Sequence, residues 1–306
     1  MSEYIIIKGT FFKKGNEIMK NVPKVAAVHD ISGIGRCSMT VILPVMSALG
    51  CQVCPLPTAL LSNHSEYEYF YFFDFTDYME EYYKCWEKNN AQFDCLYTGF
   101  IGSEKQINIM IEIINKMKKD NNPLIVVDPV MGDHGEVYKT YTSEMVRKME
   151  CLVSRADIIT PNLTEASILL GKKYSGETVS IEQLKEYLTE LCRLGPGISV
   201  ITGITTDEGE HINACCDKST NQYWKVPFEY VDIRYPGTGD LFTALFTGYL
   251  LNGRVLPEAM EAASIFVSKA VRATYEAKSP SSEGVLFEKV MRELYTEYVS
   301  YKYSII

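Results

Sequence analysis

The stretch Leu124-Ile125-Val126-Val127-Asp128-Pro129-Val130-Met131-Gly132-Asp133 decides the fold. Its first four residues are apolar, mostly β-branched and without polar alternation, so both faces of the strand they form must be covered. The run then breaks into acids, a proline and a glycine. A strand of this kind belongs to a parallel sheet, and its polar end marks the edge beyond which open α/β sheets bind ligands. Residues 24–28, 157–160 and 198–202 read in the same way. Helical patterns cover residues 36–49, 76–88, 103–119, 143–152 and 180–194. Strand alternating with helix predicts an α/β fold with a central, mostly parallel sheet sandwiched between helix layers. Residues 211–216 and 222–228 alternate or are aromatic and read as an antiparallel pair at the sheet edge, and the remainder is helical.

No internal repeat or linker divides the chain, so 306 residues read as one main domain over residues 24–306. Residues 1–23 carry lysines and lack the periodicity of a packed element, which suggests a loose leader, with Met19 a candidate translation start. The net charge of −9 argues against nucleic acid or an anionic membrane as partner. An anionic substrate must then be met by local donors. The nine cysteines show no metal-ligand rhythm and read as reduced thiols; with no signal-peptide core and no apolar run of membrane-span length, the expected location is cytoplasmic.

Pro236-Gly237-Thr238-Gly239-Asp240 runs straight into the apolar helical residues Leu241, Phe242, Ala244, Leu245, Phe246 and Tyr249. Glycines let a backbone approach a ligand, and the free N–H groups and dipole of a helix start can stabilise a phosphoryl group in flight. Asp240, beside that point, can take the proton of an attacking alcohol. The same letters also fit a simple helix cap, and alone they leave the two readings even. Asp128 and Asp133, at a strand end, can reach Mg²⁺ and a triphosphate. Thr160-Pro161-Asn162-Leu163-Thr164-Glu165 follows another strand; Asn162 and Glu165 share a helix face that can hold a metal-bound water, although a capping pattern explains them too.

The first strand ends in His29-Asp30-Ile31-Ser32-Gly33-Ile34-Gly35-Arg36, where Ser38 occupies the third glycine position of a dinucleotide fingerprint. A nicotinamide-dependent oxidoreductase is therefore the weaker enzyme reading, and this turn reads as a substrate loop. Ser62-Asn63-His64-Ser65-Glu66-Tyr67 offers donors, acceptors and rings for a flat heterocycle, with His64 and Ser65 the expected contacts. The aromatic residues 69–73 that follow read as core or subunit-contact surface.

In their order, Ser62-Asn63-His64, Thr98-Gly99-Phe100, Asp128 to Asp133, Pro161 to Glu165 and Gly237 to Asp240 resemble the ribokinase-like superfamily, most closely its pyridoxal and pyridoxamine kinases, from Lys24 onward. The resemblance implies a homodimer that uses ATP to phosphorylate the 5′-hydroxymethyl group of pyridoxal, pyridoxine or pyridoxamine. It makes Asp240 the base and Gly237, Thr238 and Gly239 the anion hole. Asp128, Asn162 and Glu165 would serve Mg²⁺ and its waters, with a monovalent cation as a candidate further cofactor. Asp133, Tyr138 and Thr202 would contact the nucleotide, and Asp30, His64, Ser65 and Phe100 the substrate.

Two positions depart from the pattern: Asp30 stands near a common serine and Phe100 at a common tyrosine. The turn at Asp30 is similar to the hydroxymethylpyrimidine kinases of thiamine synthesis, which usually have cysteine in place of Asp240. That activity is the alternative. Sugar kinases of the superfamily commonly lack the Ser-Asn-His run, and a non-catalytic metabolite-binding protein is opposed by the intact Asp240 and glycines.

Overall fold

The structure is a computed structural model that describes residues 4–7, 10–13, 22–64, 67–139, 141–174, 176, 178–296 and 302–306, the first two stretches by backbone alone. Within the expected leader, β1 (Tyr4–Ile7) and β2 (Thr10–Lys13) pair as an antiparallel hairpin, so part of it has regular structure. Met19 lies outside the described residues.

The chain then alternates as the apolar runs require. β3 (Lys24–Ser32), α1 (Met39–Ala48), β4 (Gln52–Leu61), β5 (Phe72–Asp74), α2 (Thr76–Lys88), β6 (Cys95–Thr98), α3 (Glu104–Asp120) and β7 (Leu124–Val127) form the first half. A small hairpin follows, β8 (Gly132–Asp133) with β9 (Glu136–Val137), and then α4 (Ser143–Val153), β10 (Ile158–Ile159) and α5 (Leu163–Leu169). The last part comprises β11 (Thr178–Val179), α6 (Ile181–Arg193), β12 (Ile198–Thr206), β13 (His211–Asp217), β14 (Gln222–Pro227), α7 (Thr238–Leu251), α8 (Leu256–Glu276) and β15 (Ser304–Ile305), with short 3-10 turns before β15. Side chains of Ser103, Thr142 and Ser180 cap α3, α4 and α6, which accounts for the agreement at those helix starts.

The main sheet runs β15-β14-β13-β12-β10-β7-β6-β3-β4-β5, with β11 beside β12. Strands β12, β10, β7, β6, β3 and β4 are parallel, while β13 to β15 at one end and β5 at the other are antiparallel. Successive residues of a strand feed opposite cores. Ile125 and Val127 pack with α3, α4 and α6 residues, whereas Leu124 and Val126 pack with α1, α7 and α8 residues. This two-sided burial is why the strands lack alternation.

Four expectations change. The stretch after α8, read as helical, holds only short 3-10 turns and β15 among its described residues. The helix read from residue 36 begins at Met39, because Ser38 has φ 48° and cannot be helical. Of the two readings of residues 69–73, core or subunit-contact surface, the first fails: Tyr69 is 81% exposed and Phe72 and Phe73 form the exposed edge strand β5. Strands β4 and β6 had no counterpart in the sequence reading.

Candidate active site

The C-terminal ends of β7 and β10 open into a cavity of about 600 Å³ that reaches the start of α7. Asp128, Asp133, Tyr138, Asn162, Glu165, Thr202, Phe100 and the run from Gly237 to Asp240 all line it. Residues far apart in sequence are thus brought to one wall, as the strand-end argument requires.

Gly237 precedes α7 at φ 80°, where a Cβ would stand 2.1 Å from the backbone oxygen of Arg36. Only glycine fits such a contact. α7 is apolar all round and buried along almost its whole length, so its N-terminus is held rigidly against the cavity. Asp240, in the first turn, is half-buried, and its Oδ2 accepts the backbone N–H of Ser38 at 2.8 Å. Burial raises its pKa to about 6, the Ser38 bond opposes the rise, and the nearby Asp30 charge adds to it. Such a carboxylate is ionised at neutral pH yet basic enough to take a proton.

The Asn162 and Glu165 pair forms a full capping box. Glu165 Oε2 accepts the Asn162 N–H at 2.9 Å, and Asn162 Oδ1 accepts the Glu165 N–H at 2.9 Å. Glu165 Oε1 accepts the Met131 N–H at 3.0 Å, and Asn162 Nδ2 donates to the Gly132 carbonyl at 2.9 Å. The two residues therefore join the end of β7 to the start of α5, a role that the capping reading anticipated. Burial raises the Glu165 pKa to about 8. Asp128, also buried, is raised well above the ordinary carboxylate range by burial, then by Glu165 and Asp240, while Thr243 opposes the rise. β12 carries a register shift between Ile201 and Ile204 that turns Thr202 out of the ladder; its N–H donates to the Pro161 carbonyl at 3.1 Å.

On the far side of Ser38 lies a second group. Asp30 is buried, and Ser32 Oγ donates to its Oδ2 at 3.2 Å. Burial raises its pKa, and Ser38 and Ser32 bonds oppose the rise. Neither Asp30 nor His64 lines the cavity. His64 is 7% exposed, and its Nε2 lies 2.5 Å from the carbonyl of Ser282; since a carbonyl only accepts, Nε2 carries the proton. Ser65 lies outside the described residues. Ser62 and Asn63 build the loop itself: Asn63 Nδ2 donates to the Tyr69 carbonyl at 2.9 Å and Ser62 Oγ accepts the Tyr71 N–H at 2.8 Å.

Sequence reasoning missed two members of the site. Ser38 was noted only as the absence of a glycine, yet it holds a glycine-like φ and binds Asp240. Arg234 carries no motif, and it pairs with Asp133, Nη2 to Oδ2 3.1 Å, across the chain.

A layered sheet with its cavity at the strand ends and a glycine-opened helix on one wall is the architecture of a ribokinase-like, ATP-dependent kinase. The sequence profile of the phosphomethylpyrimidine kinase family matches residues 44–283. The chain is 31% identical over 270 residues to the pyridoxal kinase PdxY of Burkholderia lata, covering 85% of this chain and 91% of that protein. A Bacteroides thetaiotaomicron protein classed with the phosphomethylpyrimidine kinases is 43% identical, with a TM-score of 0.90 over 95% of this chain and 100% of its own. An orthorhombic crystal form of that protein contains pyridoxal, with 43% identity and a TM-score of 0.89 over 94% of this chain and 100% of its own. The chain belongs to the phosphomethylpyrimidine kinase family, with pyridoxal kinases among its relatives.

Proposed function

We propose that the chain transfers the terminal phosphoryl group of ATP to the 5′-hydroxymethyl group of a B6 vitamer, with Asp240 as general base. The observation that carries the reading is the place of Asp240. It lines the nucleotide-sized cavity on one side and feels the charge of Asp30 on the other, at the N-terminus of a long buried helix. There its carboxylate can accept the hydroxyl proton as oxygen attacks phosphorus. The backbone donors of Gly237, Thr238 and Gly239 meet the negative charge that develops on the transferred group. The vitamer would lie toward Asp30 and Phe100, with His64 and Ser65 as further contacts. Thr202 and Tyr138 would flank the nucleotide.

Magnesium fits this donor set as a companion of the nucleotide. Among the described residues no group of three or more His, Cys, Asp or Glu side chains could hold a metal alone. Mg²⁺ ordinarily uses one or two carboxylates together with substrate phosphates, and Asp128 is a buried carboxylate raised by like charges, which a cation would relieve. Asp128 would meet the ion, and Glu165, already bonded to backbone, would act through water. The ion supplies charge neutralisation for the phosphates when bound. The homodimer, a monovalent cation, the cytoplasmic location and a single kinase domain over residues 24–306 belong to the same proposal. Among the described residues no helix is long and apolar enough to cross a membrane.

The second reading, phosphorylation of a hydroxymethylpyrimidine, is favoured by the matching family profile and by the acid at Asp30. Purified protein assayed for ATP consumption with pyridoxal, pyridoxine, pyridoxamine and hydroxymethylpyrimidine, with the product identified by mass, separates the two. Consumption with none of them would sink the kinase reading.

A further inference from the structure

Residues 36–38 touch the phosphoryl end of the site at two points. The Ser38 N–H holds Asp240, and a Cβ built on Gly237 would stand 2.1 Å from the Arg36 carbonyl oxygen, so backbone packs directly on backbone at the start of α7. The same carbonyl oxygen faces a second glycine, for a Cβ on Gly284 would stand 2.7 Å from it. The Arg36 backbone is thus wedged between α7 and the stretch that follows α8. Arg36 itself does not line the cavity.

The stretch after α8 holds Arg36 by backbone and side chain together. Arg36 and Gly284 pair as a parallel bridge, and the Arg36 N–H donates to the Glu283 carbonyl at 3.2 Å. Arg36 Nη1 donates to the same carbonyl at 3.0 Å, and Nε donates to the two Glu288 carboxylate oxygens at 2.8 and 3.0 Å. The stretch is itself anchored: Val285 and Phe287 are buried in the core shared with α1, α7 and α8, and the Leu286 N–H donates to Thr274 Oγ1 at 2.8 Å. Its Ser282 carbonyl also takes the His64 ring N–H. The Arg36 and Glu288 side chains are 25% and 53% exposed, so their ion pair adds little to global stability. A planar guanidinium tied to a carbonyl and a carboxylate at once does fix orientation.

We infer that Arg36 is a positioning residue for phosphoryl transfer: tied to Glu283 and Glu288, it holds residues 36–38 against α7 and so sets the orientation of the Asp240 carboxylate and of the helix start beside it. The inference rests on the kinase reading above. It carries a signature beyond rate. The Ser38 N–H bond favours the ionised form of Asp240 and opposes the rise that burial causes. Loosening residues 36–38 weakens that bond, and the Asp240 pKa then climbs.

The test compares wild type, Arg36→Ala, Arg36→Lys, Glu288→Gln and the Arg36→Ala, Glu288→Gln double variant. The measurements are steady-state kinetics on pyridoxal as a function of pH, thermal melting, and an NMR titration of the Asp240 carboxyl carbon in ligand-free protein. Arg36→Ala should lower kcat roughly 10- to 100-fold and leave KM for ATP and for pyridoxal in place, since a small misplacement of reacting groups costs rate out of proportion to binding. The acid limb of its pH profile and its Asp240 titration should both move to higher pH. Arg36→Lys should recover part of the rate. Glu288→Gln should shift kcat and titration in the same direction by less, and should add nothing in the Arg36→Ala background, because the two side chains act as a unit. An Arg36→Ala protein with wild-type kcat, or with the Asp240 titration unmoved, overturns the inference. So does a loss of activity that only tracks the fraction of folded protein, which would make Arg36 a strut. Glu288→Gln, which keeps the guanidinium bonded to the Glu283 carbonyl, supplies the same comparison if Arg36→Ala does not fold. A wild type that consumes no ATP removes the kinase reading, and the link from Arg36 to Asp240 then stands or falls on the titration alone.

Discussion

The backbone N–H of Ser38 donates to Oδ2 of Asp240 at 2.8 Å, joining residues 202 positions apart in the chain. Ser38 holds φ 48°, a conformation a non-glycine residue adopts only where its surroundings impose it, and the bond to Asp240 is one such restraint. It fixes one carboxylate oxygen and leaves the other for a substrate proton.

The first prediction concerns the pH profile. Burial lifts the Asp240 pKa to about 6, and only the ionised form can accept a proton. The sign follows: kcat/KM should be flat near pH 7 to 8 and fall as pH drops through about 6, approaching roughly tenfold per unit. Asp240→Asn should lower turnover by roughly 10² to 10⁴ while calorimetry still detects ATP binding. A profile without that acid limb, or near-normal turnover in the variant, would take Asp240 out of the role.

The two glycines of the anion site should differ in stability and agree in activity. A methyl at Gly237 would meet the Arg36 backbone oxygen at 2.1 Å, in a backbone conformation with φ 80°. Gly237→Ala should therefore lower both stability and activity. Gly239 is exposed in the first turn of α7, with nothing within 4 Å of its built Cβ. Gly239→Ala should leave the melting temperature equal or raise stability by about 0.4–1 kcal/mol, since alanine loses less chain entropy. Its activity should still fall at least about tenfold, because the added methyl occupies the space where the phosphoryl group approaches the helix N–H groups. Full activity in a stable Gly239→Ala protein would place the phosphoryl group elsewhere.

How far the sequence could be read depended on which physical constraint spoke locally. Leu124 to Val127 announced itself because two cores require apolar side chains on both faces. β4 did not, because Pro55 and Pro57 interrupt its apolar run with residues that strand interiors disfavour. They are tolerated because, two apart, they turn their donorless nitrogens to the same side, and β5 pairs on β4 only from Ala59 onward. The capping box of Asn162 and Glu165 was legible as a cap and as a ligand pair; the bonds to Asn162 and Met131 show the cap. No local pattern could reveal the Arg234 and Asp133 pair, since it depends on the loop before α7 meeting the β8–β9 hairpin.

Asp128 gives a prediction on stability. Its carboxyl is raised by burial and by the charges of Glu165 and Asp240, so the folded state favours the protonated form and ionisation destabilises it. A raised carboxylate pKa means stability present at low pH and lost as pH rises through the shifted range. Asp128→Asn should therefore stabilise the ligand-free protein by roughly 0.5–2 kcal/mol, more at pH 9 than at pH 6, while activity falls. Calorimetric scans at the two pH values check it. A variant that is less stable at both would mean that Asp128 has stabilising partners that outweigh its buried charge.

The last prediction concerns the ring. A B6 vitamer offers a pyridine nitrogen and a phenolic oxygen beside the hydroxymethyl group, whereas a hydroxymethylpyrimidine lacks the phenolic oxygen. Asp30 is 6% exposed, its pKa is raised by burial, and Ser32 holds one of its oxygens at 3.2 Å. A carboxyl in that state can share a proton with a ring nitrogen. Both rings supply a nitrogen, so Asp30 alone does not discriminate between them. Discrimination must come from groups that meet the phenolic oxygen, and a buried donor left unpaired can reject an analogue by as much as roughly 10⁴. Leaving a neutral donor unpaired costs about 1–3 kcal/mol, so a preference nearer roughly 10² in kcat/KM for pyridoxal over hydroxymethylpyrimidine is expected. Asp30→Ala should lower kcat/KM for both rings at least about tenfold and leave the KM for ATP in place, because Asp30 lies outside the nucleotide cavity. If the wild type prefers the pyrimidine, B6 specificity is wrong and the pyrimidine reading replaces it. If Asp30→Ala alters ATP and not the ring substrates, the placement of the vitamer beyond Ser38 fails as well.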